Sequence, residues 1–511
     1  MRHLPFLLVL TLFIGLLVSC SGEAAKAQEA KSKRPNILFI YTDDHSYRTV
    51  GCYPQAYDWV RTPTIDRLAK EGVRFEYAYI GTWCMPSRAT LLTGHHQFGV
   101  ESMRMEGDYP GSAYDPAKCP FWPKVFREHG YQTAHIGKWH TGIDTGFGRD
   151  WDFQIVWNRP KHTENHQNYY YDQPITYHGG ETRTMKNYST DQYTDWAVDY
   201  LTGKNVEGRK RDADKPFYLW MCYGAVHSPF TPADRHMDDY PGITVPTPAD
   251  VFPPRPGKPD WCQKINFWEP GKNGVPMWQD RTQSSWVRQY HQGVLAIDEA
   301  VARLLKTLDE TGDKENTLII FTSDQGHGWG QHGFRHKVAP YDSTIRSPLI
   351  MSMPGRGVAQ GETCPTPVAG VDIVPTIFSF AGLEKPWKMH GHDLTPLLKN
   401  PKADWPHQMM LTATGRSYGS DTHTIPTGED VLHNGVPWYV MTNDGRYKYI
   451  RPLVSDLEEL YDLQEDPEEV TNLSEKPEHQ KRLRRLRAAA ITELKRTGSG
   501  FVDNMPKVRG E

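Results

Sequence analysis

The residues most suited to chemistry form the string Cys84-Met85-Pro86-Ser87-Arg88-Ala89-Thr90-Leu91-Leu92-Thr93-Gly94. Pro86 and Ser87 suit a helix start, and the free N–H groups of a helix N-terminus favour anionic ligands. On that reading Cys84 sits just ahead of the helix and Arg88 lies one turn inside it. The bland alternative for Cys84 is a buried or disulfide-bonded thiol. Two oxygen-rich pairs, Asp43-Asp44 and Asp324-Gln325, each end an apolar run. They offer only oxygen donors, which suit a hard cation such as Ca²⁺, while Mg²⁺ demands a tighter octahedron. Taken singly, an Asp-Asp pair suits a turn or helix cap better than a metal site. Gly137-Lys138-Trp139-His140 and Ala225-Val226-His227-Ser228-Pro229 also lie just past apolar runs, and Lys337 lies between His336 and Val338.

These residues need elements to position them. Asn36–Tyr41, Tyr131–Ile136, Lys215–Tyr223, Thr317–Thr322 and Pro348–Met353 read as strands, the most apolar of them buried on both faces. Between them fall helical stretches. One starts at Thr62 as cap and Pro63, and Gly72 closes it; a short one spans Pro123–His129, and another spans Asp372–Ala381. The clearest covers Ser285–Thr311, where Val287, Tyr290, Val294, Ile297, Val301, Leu304 and Leu308 step by three and four. Alternating helices and apolar strands predict an α/β fold with a mostly parallel sheet covered on both faces. Ligands in such folds bind beyond the carboxyl ends of strands, where the two oxygen-donor pairs fall. Stretches 157–190 and 228–283 lack periodicity and read as insertions lining a binding surface. Trp438–Ile450 predicts a hairpin turning at Asp444-Gly445, and Gln480–Arg496 a charged terminal helix.

Composition narrows the class. The 511 residues include 58 Lys+Arg and 62 Asp+Glu, a formal charge of −4. That balance argues against a dedicated nucleic-acid binder. Seven cysteines are too few for a disulfide scaffold. Once Cys20 and Cys84 are assigned, five remain, so parity leaves at least one free. His95-His96 and His390-Gly391-His392 lack the companions of a zinc site and suit structural roles. Residues 1–20 carry Arg2, an apolar run and Leu17-Val18-Ser19-Cys20, which reads as an export signal ending in a lipobox. Ordinary cleavage near Ala25 or Ala27 is the alternative. Residues 21–34 then form a tether.

The Cys84 string resembles the signature of the type I sulfatases, C-x-P-S-R followed by x-x-L-x-T-G, and agrees at each fixed position. Further blocks resemble that family in order: N-I-L-F-I-Y-T-D-D, G-Y-Q-T-A-H-I-G-K-W-H, F-T-S-D-Q-G, R-S-P-L-I and E-L-Y-D-L-Q-E-D-P. The resemblance implies an alkaline-phosphatase-like fold: a large mixed, mostly parallel sheet between helices, then a smaller C-terminal α+β unit with an antiparallel sheet. The expected division is 35–404 and 405–511. The resemblance further implies oxidation of Cys84 to formylglycine (3-oxoalanine) by a maturation enzyme. It implies one divalent cation, usually calcium, held by Asp43, Asp44, Asp324, Gln325 and the modified Cys84. Gln325 departs from the family's more usual Asn but keeps the carbonyl oxygen.

The remaining roles are carried over in the same way. Arg88 steadies the aldehyde hydrate, Lys138 and Lys337 bind sulfate, and His140 contacts the formylglycine. His227 protonates the leaving alcohol. One hydroxyl of the hydrate attacks sulfur, and the other then releases sulfate. The expected substrate is a sulfated poly- or oligosaccharide, with Trp157, His166, His178 and Arg183 as sugar contacts. A phosphoester or phosphonate monoester hydrolase of the same superfamily is the alternative, and an inactive glycan-binding lipoprotein a third. No nucleic-acid partner is expected, and membrane contact only through an N-terminal lipid anchor.

Overall fold

The computed structural model describes residues 34–510. The leader, the lipobox and all but the last residue of the tether lie outside the described residues. The first apolar run forms β1 (Asn36–Thr42), buried throughout. Then come α1 (Pro63–Lys70), β2 (Val73–Phe75), α2 (Cys84–Thr93), β3 (Gln132–Trp139), β4 (Phe153–Asn158), β5 (Gln173–Tyr177), β6 (Thr182–Met185) and α3 (Ser189–Leu201). They are followed by β7 (Phe217–Cys222), α4 (Gln283–Thr311), β8 (Thr317–Ser323), β9 (Leu349–Ser352), β10 (Glu362–Cys364) and α5 (Gly370–Ala381). A C-terminal group holds β11 (Met409–Ala413), β12 (Tyr439–Asn443), β13 (Tyr447–Pro452), β14 (Glu459–Asp462) and α6 (Gln480–Thr497).

Ten strands form one sheet in the order β10-β2-β9-β8-β1-β7-β3-β4-β5-β6. The central run β8-β1-β7-β3-β4 is parallel. β9 is the strand expected at 348–353, and it runs antiparallel to β8. Strand direction depends on the crossover, which leaves no local mark in a strand's residues. Side chains of β1 alternate between two cores. Ile37, Phe39 and Tyr41 pack with α2 and α5 on one face. Leu38 and Ile40 pack with α1, α3 and α4 on the other. β11, β12, β13 and β14 make an antiparallel sheet, and Leu483, Leu486, Ala490 and Leu494 of α6 cover it.

The stretch 157–190 differs from expectation. It completes β4 and supplies β5 and β6, which extend the sheet antiparallel to β4. Their stability comes from pairing with a neighbour, not from local hydrophobic pattern. By contrast 228–283 holds only short pieces, including a three-stranded ribbon between Glu269 and Thr282. Thr62 precedes α1 but does not cap it; its hydroxyl donates to Asp66 at 3.1 Å. The cap comes from α4, where Asp298 accepts from the backbone N–H groups of Thr64 and Ile65 at 3.0 and 2.9 Å. Asp298→Ala should therefore lower unfolding free energy by about 1–2 kcal/mol, read as an earlier urea midpoint. An unchanged midpoint would remove Asp298 as the cap.

All six described cysteines are free, so none of them is part of a disulfide. His95 and His390 pack ring to ring at 4.6 Å, and the His96 N–H donates to His390 Nδ1 at 3.0 Å. Those contacts fit the structural role. Among the described residues no helix is long and apolar enough to cross a membrane.

Candidate active site

The register of the parallel strands builds the site. Tyr41 in β1 pairs with Cys222 in β7, Thr42 pairs with Ser323 in β8, and Cys222 pairs with Gly137 in β3. The residues that follow, Asp43-Asp44, Asp324-Gln325, Lys138 and the loop to His227, therefore emerge at one end of the sheet. Backbone bonds continue the alignment: Asp43 N–H donates to Ala225 O at 2.9 Å, and Asp324 N–H to Thr42 O at 3.2 Å. Asp44 adopts a φ of 53°, a left-handed turn that aspartate tolerates better than most residues. Its N–H donates to Asp324 Oδ1 at 2.9 Å.

α2 delivers Cys84 to the same point. The helix begins at Cys84 itself, not at Pro86, with extended Trp83 at the N-cap. Pro86 is tolerated there because the first four N–H groups of a helix have no intrahelical partner. All ten residues of α2 are buried. Gly81 permits the close approach, since a Cβ there would lie 1.9 Å from Ser87 Oγ.

The ten site residues expected from sequence lie together, although His140 stands one layer back. Cys84 Sγ is 3.3 Å from Asp43 Oδ1 and 3.0 Å from Lys337 Nζ. Lys337 Nζ also meets Asp44 Oδ1 at 2.6 Å. Lys138 Nζ donates to Asp43. Arg88 Nη2 bridges Asp43 Oδ2 at 3.1 Å and Asp324 Oδ2 at 3.3 Å. Gln325 Nε2 donates to Asp44. His227 Nε2 is 3.6 Å from Asp44 Oδ2, and its Nδ1 donates to Ser228 O at 2.8 Å. His140 is hydrogen-bonded by Arg159, with no bond to Cys84.

Electrostatics follow from burial. Burial, helped by Asp43, pushes the Cys84 thiol up to about 12, so it stays protonated at neutral pH. Burial and the neighbouring Asp43 push the Asp324 carboxyl up to about 7. Burial works the same way on Asp43, but the positive charges of Lys138 and Arg88 outweigh it and hold that carboxyl below its usual range. Burial opposes the charge on Lys337, yet Asp44 and its neighbours keep the ammonium well above its ordinary value. Burial and Lys337 leave His227 neutral.

The donor set fits a hard cation. Asp43, Asp44, Cys84 and His227 bring ligand atoms within 4.8 Å of one another. Three carboxylates crowd here, and Gln325 Oε1 is buried without any hydrogen-bond partner. A buried amide oxygen left unpaired is costly, and a cation would satisfy it.

Sequence reasoning missed several neighbours. Tyr169 stacks on the His227 ring at 3.8 Å and 4°. Arg159, 1% exposed, follows the last residue of β4. Arg159 stands just past a strand end as Asp43 and Asp324 do, but the sequence shows no strand there. Three of the four expected sugar contacts fare worse. Trp157 is fully buried within β4. His178 lies in the β5–β6 turn, at the far end of the sheet, against Val206 O. Arg183 on edge strand β6 pairs with Glu207. His166 is near the site, its carbonyl accepting from Arg159.

Residues 35–383 match the family described as Sulfatase, more than half of the chain. The chain belongs to the sulfatase family. Residues 330–496 also match the C-terminal part of the N-sulphoglucosamine sulphohydrolases. The N-acetylglucosamine-6-O-sulfatase of Bacteroides thetaiotaomicron is 30% identical, over 99% of this chain and 93% of the relative. The human N-acetylglucosamine-6-sulfatase is 28% identical, over 83% of this chain and 75% of its own. A solved structure of a protein in complex with its substrate D-glucosamine-2-N,6-O-disulfate superposes with a TM-score of 0.74 at 27% identity, over 93% of this chain and 99% of the other. This sulfatase therefore carries the alkaline-phosphatase-like fold expected from its motifs.

Proposed function

We propose that this sulfatase removes sulfate from a sulfated carbohydrate, with Cys84 as the formylglycine site and Asp43, Asp44, Asp324 and Gln325 as the seat of one divalent cation, calcium before magnesium. The observation that carries this reading is the Cys84 thiol itself. It lies among two lysines and three carboxylates, yet burial holds it protonated near 12. A thiol is nucleophilic as thiolate, so an unmodified Cys84 serves poorly at neutral pH. Formylglycine would supply an aldehyde whose hydrate offers one hydroxyl to sulfur and a second to release sulfate. The cation would supply charge neutralisation for the sulfuryl group.

The chain's own residues divide the remaining work. Lys138 and Lys337 present ammonium groups to the sulfuryl oxygens. Arg88 holds Asp43 and Asp324 in register by one bridging nitrogen. His227 is neutral at rest, with Nδ1–H fixed on Ser228 O and an unprotonated Nε2 3.6 Å from Asp44 Oδ2. A bound sulfate anion raises its proton affinity, and the proton taken up on Nε2 can pass to the departing alkoxide. The sugar substrate is supported by the sulfated-glucosamine names of the relatives. Export through residues 1–20, lipidation at Cys20 and maturation of Cys84 by a separate enzyme belong to the same proposal.

Parallel assays of an aryl sulfate and an aryl phosphate test the reaction class. The expected result is a large preference for sulfate. A preference for phosphate would favour a phosphoester or phosphonate monoester hydrolase. For His227→Asn, kcat on a sugar sulfate should fall about 10²–10⁴-fold, and markedly less on an aryl sulfate whose leaving group needs no proton. Equal losses on both would remove His227 as the acid.

A further inference from the structure

Three arginines rank among the largest fully buried side chains: Arg88, Arg159 and Arg255. Two have their charge answered. Arg88 bridges Asp43 and Asp324. Arg255 donates to the carbonyls of Asp250, Val251, Cys262 and Ile265. Arg159 differs. Its Nε donates to His166 O at 3.0 Å, and its Nη1 lies 3.0 and 3.2 Å from the two ring nitrogens of His140. Among the described residues no carboxylate pairs with it, and Nη2 has no partner. Aromatic rings complete its surroundings: Tyr169 at 5.0 Å, Trp157 at 5.4 Å and Tyr109 at 6.0 Å from the guanidinium carbon. Cation–π contacts soften the desolvation of a buried cation but do not replace an anion.

Arg159 also borders the reaction centre. The Tyr169 ring that faces it receives Lys138 Nζ at 5.1 Å and stacks on His227 at 3.8 Å. One ring therefore separates Arg159 from the groups assigned to sulfate. Tyr109, 36% exposed, forms the outer wall between Arg159 and the surface, with Arg416 on it at 5.3 Å. Charge points the same way. Arg88, Lys138, Lys337 and Arg159 bring four positive charges against the three carboxylates of Asp43, Asp44 and Asp324. A divalent cation widens that excess, and one sulfate monoester closes only part of it.

We propose that Arg159 is a specificity-determining residue that binds a second anionic substituent, sulfate or carboxylate, on the sugar that bears the scissile sulfate. This deepens the sulfated-carbohydrate reading and rests on it. With Nε and Nη1 engaged, Nη2 offers its two N–H groups to either oxyanion, and the charge strengthens those bonds. Nη2 is the donor held ready, beside the Tyr169, Trp157 and Tyr109 rings.

The test measures kcat/KM for the matured full-length enzyme on three sugars. One carries a single sulfate and no other charge. The second adds another sulfate, and the third a carboxylate. Wild type should prefer the doubly anionic sugars. Arg159→Gln should reduce the ratio of doubly to singly charged substrate about ten- to a hundredfold, mainly through KM. Arg159→Lys, which keeps charge without the guanidinium, should restore part of it. Whichever second anion wild type favours identifies the group. A wild type without preference overturns the proposal. So does a ratio unchanged in Arg159→Gln while both rates fall alike, the pattern of a residue acting only through His140. Should Arg159→Gln fail to fold, the wild-type ratio and Arg159→Lys decide. Wild type inactive on every sulfate ester, aryl sulfate included, would instead defeat the sulfatase reading itself.

Discussion

Cys84→Ala should lower kcat/KM on any sulfate ester by ~10⁴-fold or more, the scale at which removing a nucleophile acts. Stability should change little, by about 1 kcal/mol, because only a small buried sulfur is lost. A second arm distinguishes thiol from aldehyde. Conversion replaces sulfur and two hydrogens of the side chain by one oxygen, a change that peptide mass spectrometry reads directly. Protein made with and without the maturation enzyme should show activity proportional to the converted fraction. The physical ground is the thiol's environment: a proton held to about 12 at a site where Lys337 and Asp43 stand at 3.0 and 3.3 Å. Full activity in protein whose Cys84 is entirely thiol would overturn the aldehyde reading. It would leave a cysteine acting as such, against the cost of ionising it in this pocket.

Part of the candidate site was legible because those residues follow strand ends, while Cys84, Arg88 and Lys337 rest on the motif resemblance. An apolar run marks a buried strand, and the first polar residues past it mark the end where ligands gather. Asp43, Asp324 and His227 all obey that rule. What was not legible depended on partners distant in sequence. β5 and β6 stand only because β4 offers an edge. β2 and β10 are three residues each, too short for any periodicity. α3 repeats Tyr193, Trp196, Ala197, Tyr200 and Leu201 by threes and fours, but it follows a stretch without periodicity that masks its start. Arg159 was hidden in that same stretch. Trp157 is one of the four expected sugar contacts, yet its place inside β4 turns it into core. Residue type alone cannot separate those roles; strand register can.

Removal of the divalent cation should abolish activity, and its effect on stability should depend on pH in a defined direction. In the metal-free protein the Asp324 carboxyl is raised to about 7 from an ordinary 3.8, so folding takes up a proton there. The stability tied to that proton is fully present below pH 3.8 and is lost as pH rises through about 7. A cation reverses the balance, because it stabilises the ionised form that the pocket otherwise disfavours. Added Ca²⁺ should therefore raise Tm only slightly at pH 5.5 and substantially at pH 8. The Ca²⁺ dissociation constant should fall as pH rises toward 7 and then level, since proton and cation compete for one carboxylate. Asp324→Asn should flatten that dependence and weaken Ca²⁺ binding at least about 100-fold, beyond what loss of an outer neighbour costs. Gln325→Leu should weaken binding less, because it removes a neutral donor. A Ca²⁺-induced Tm rise that is the same at pH 5.5 and 8 would detach Asp324 from the cation. Arg88 and Lys138 would then answer its charge, and the buried Gln325 oxygen would be left without a reason.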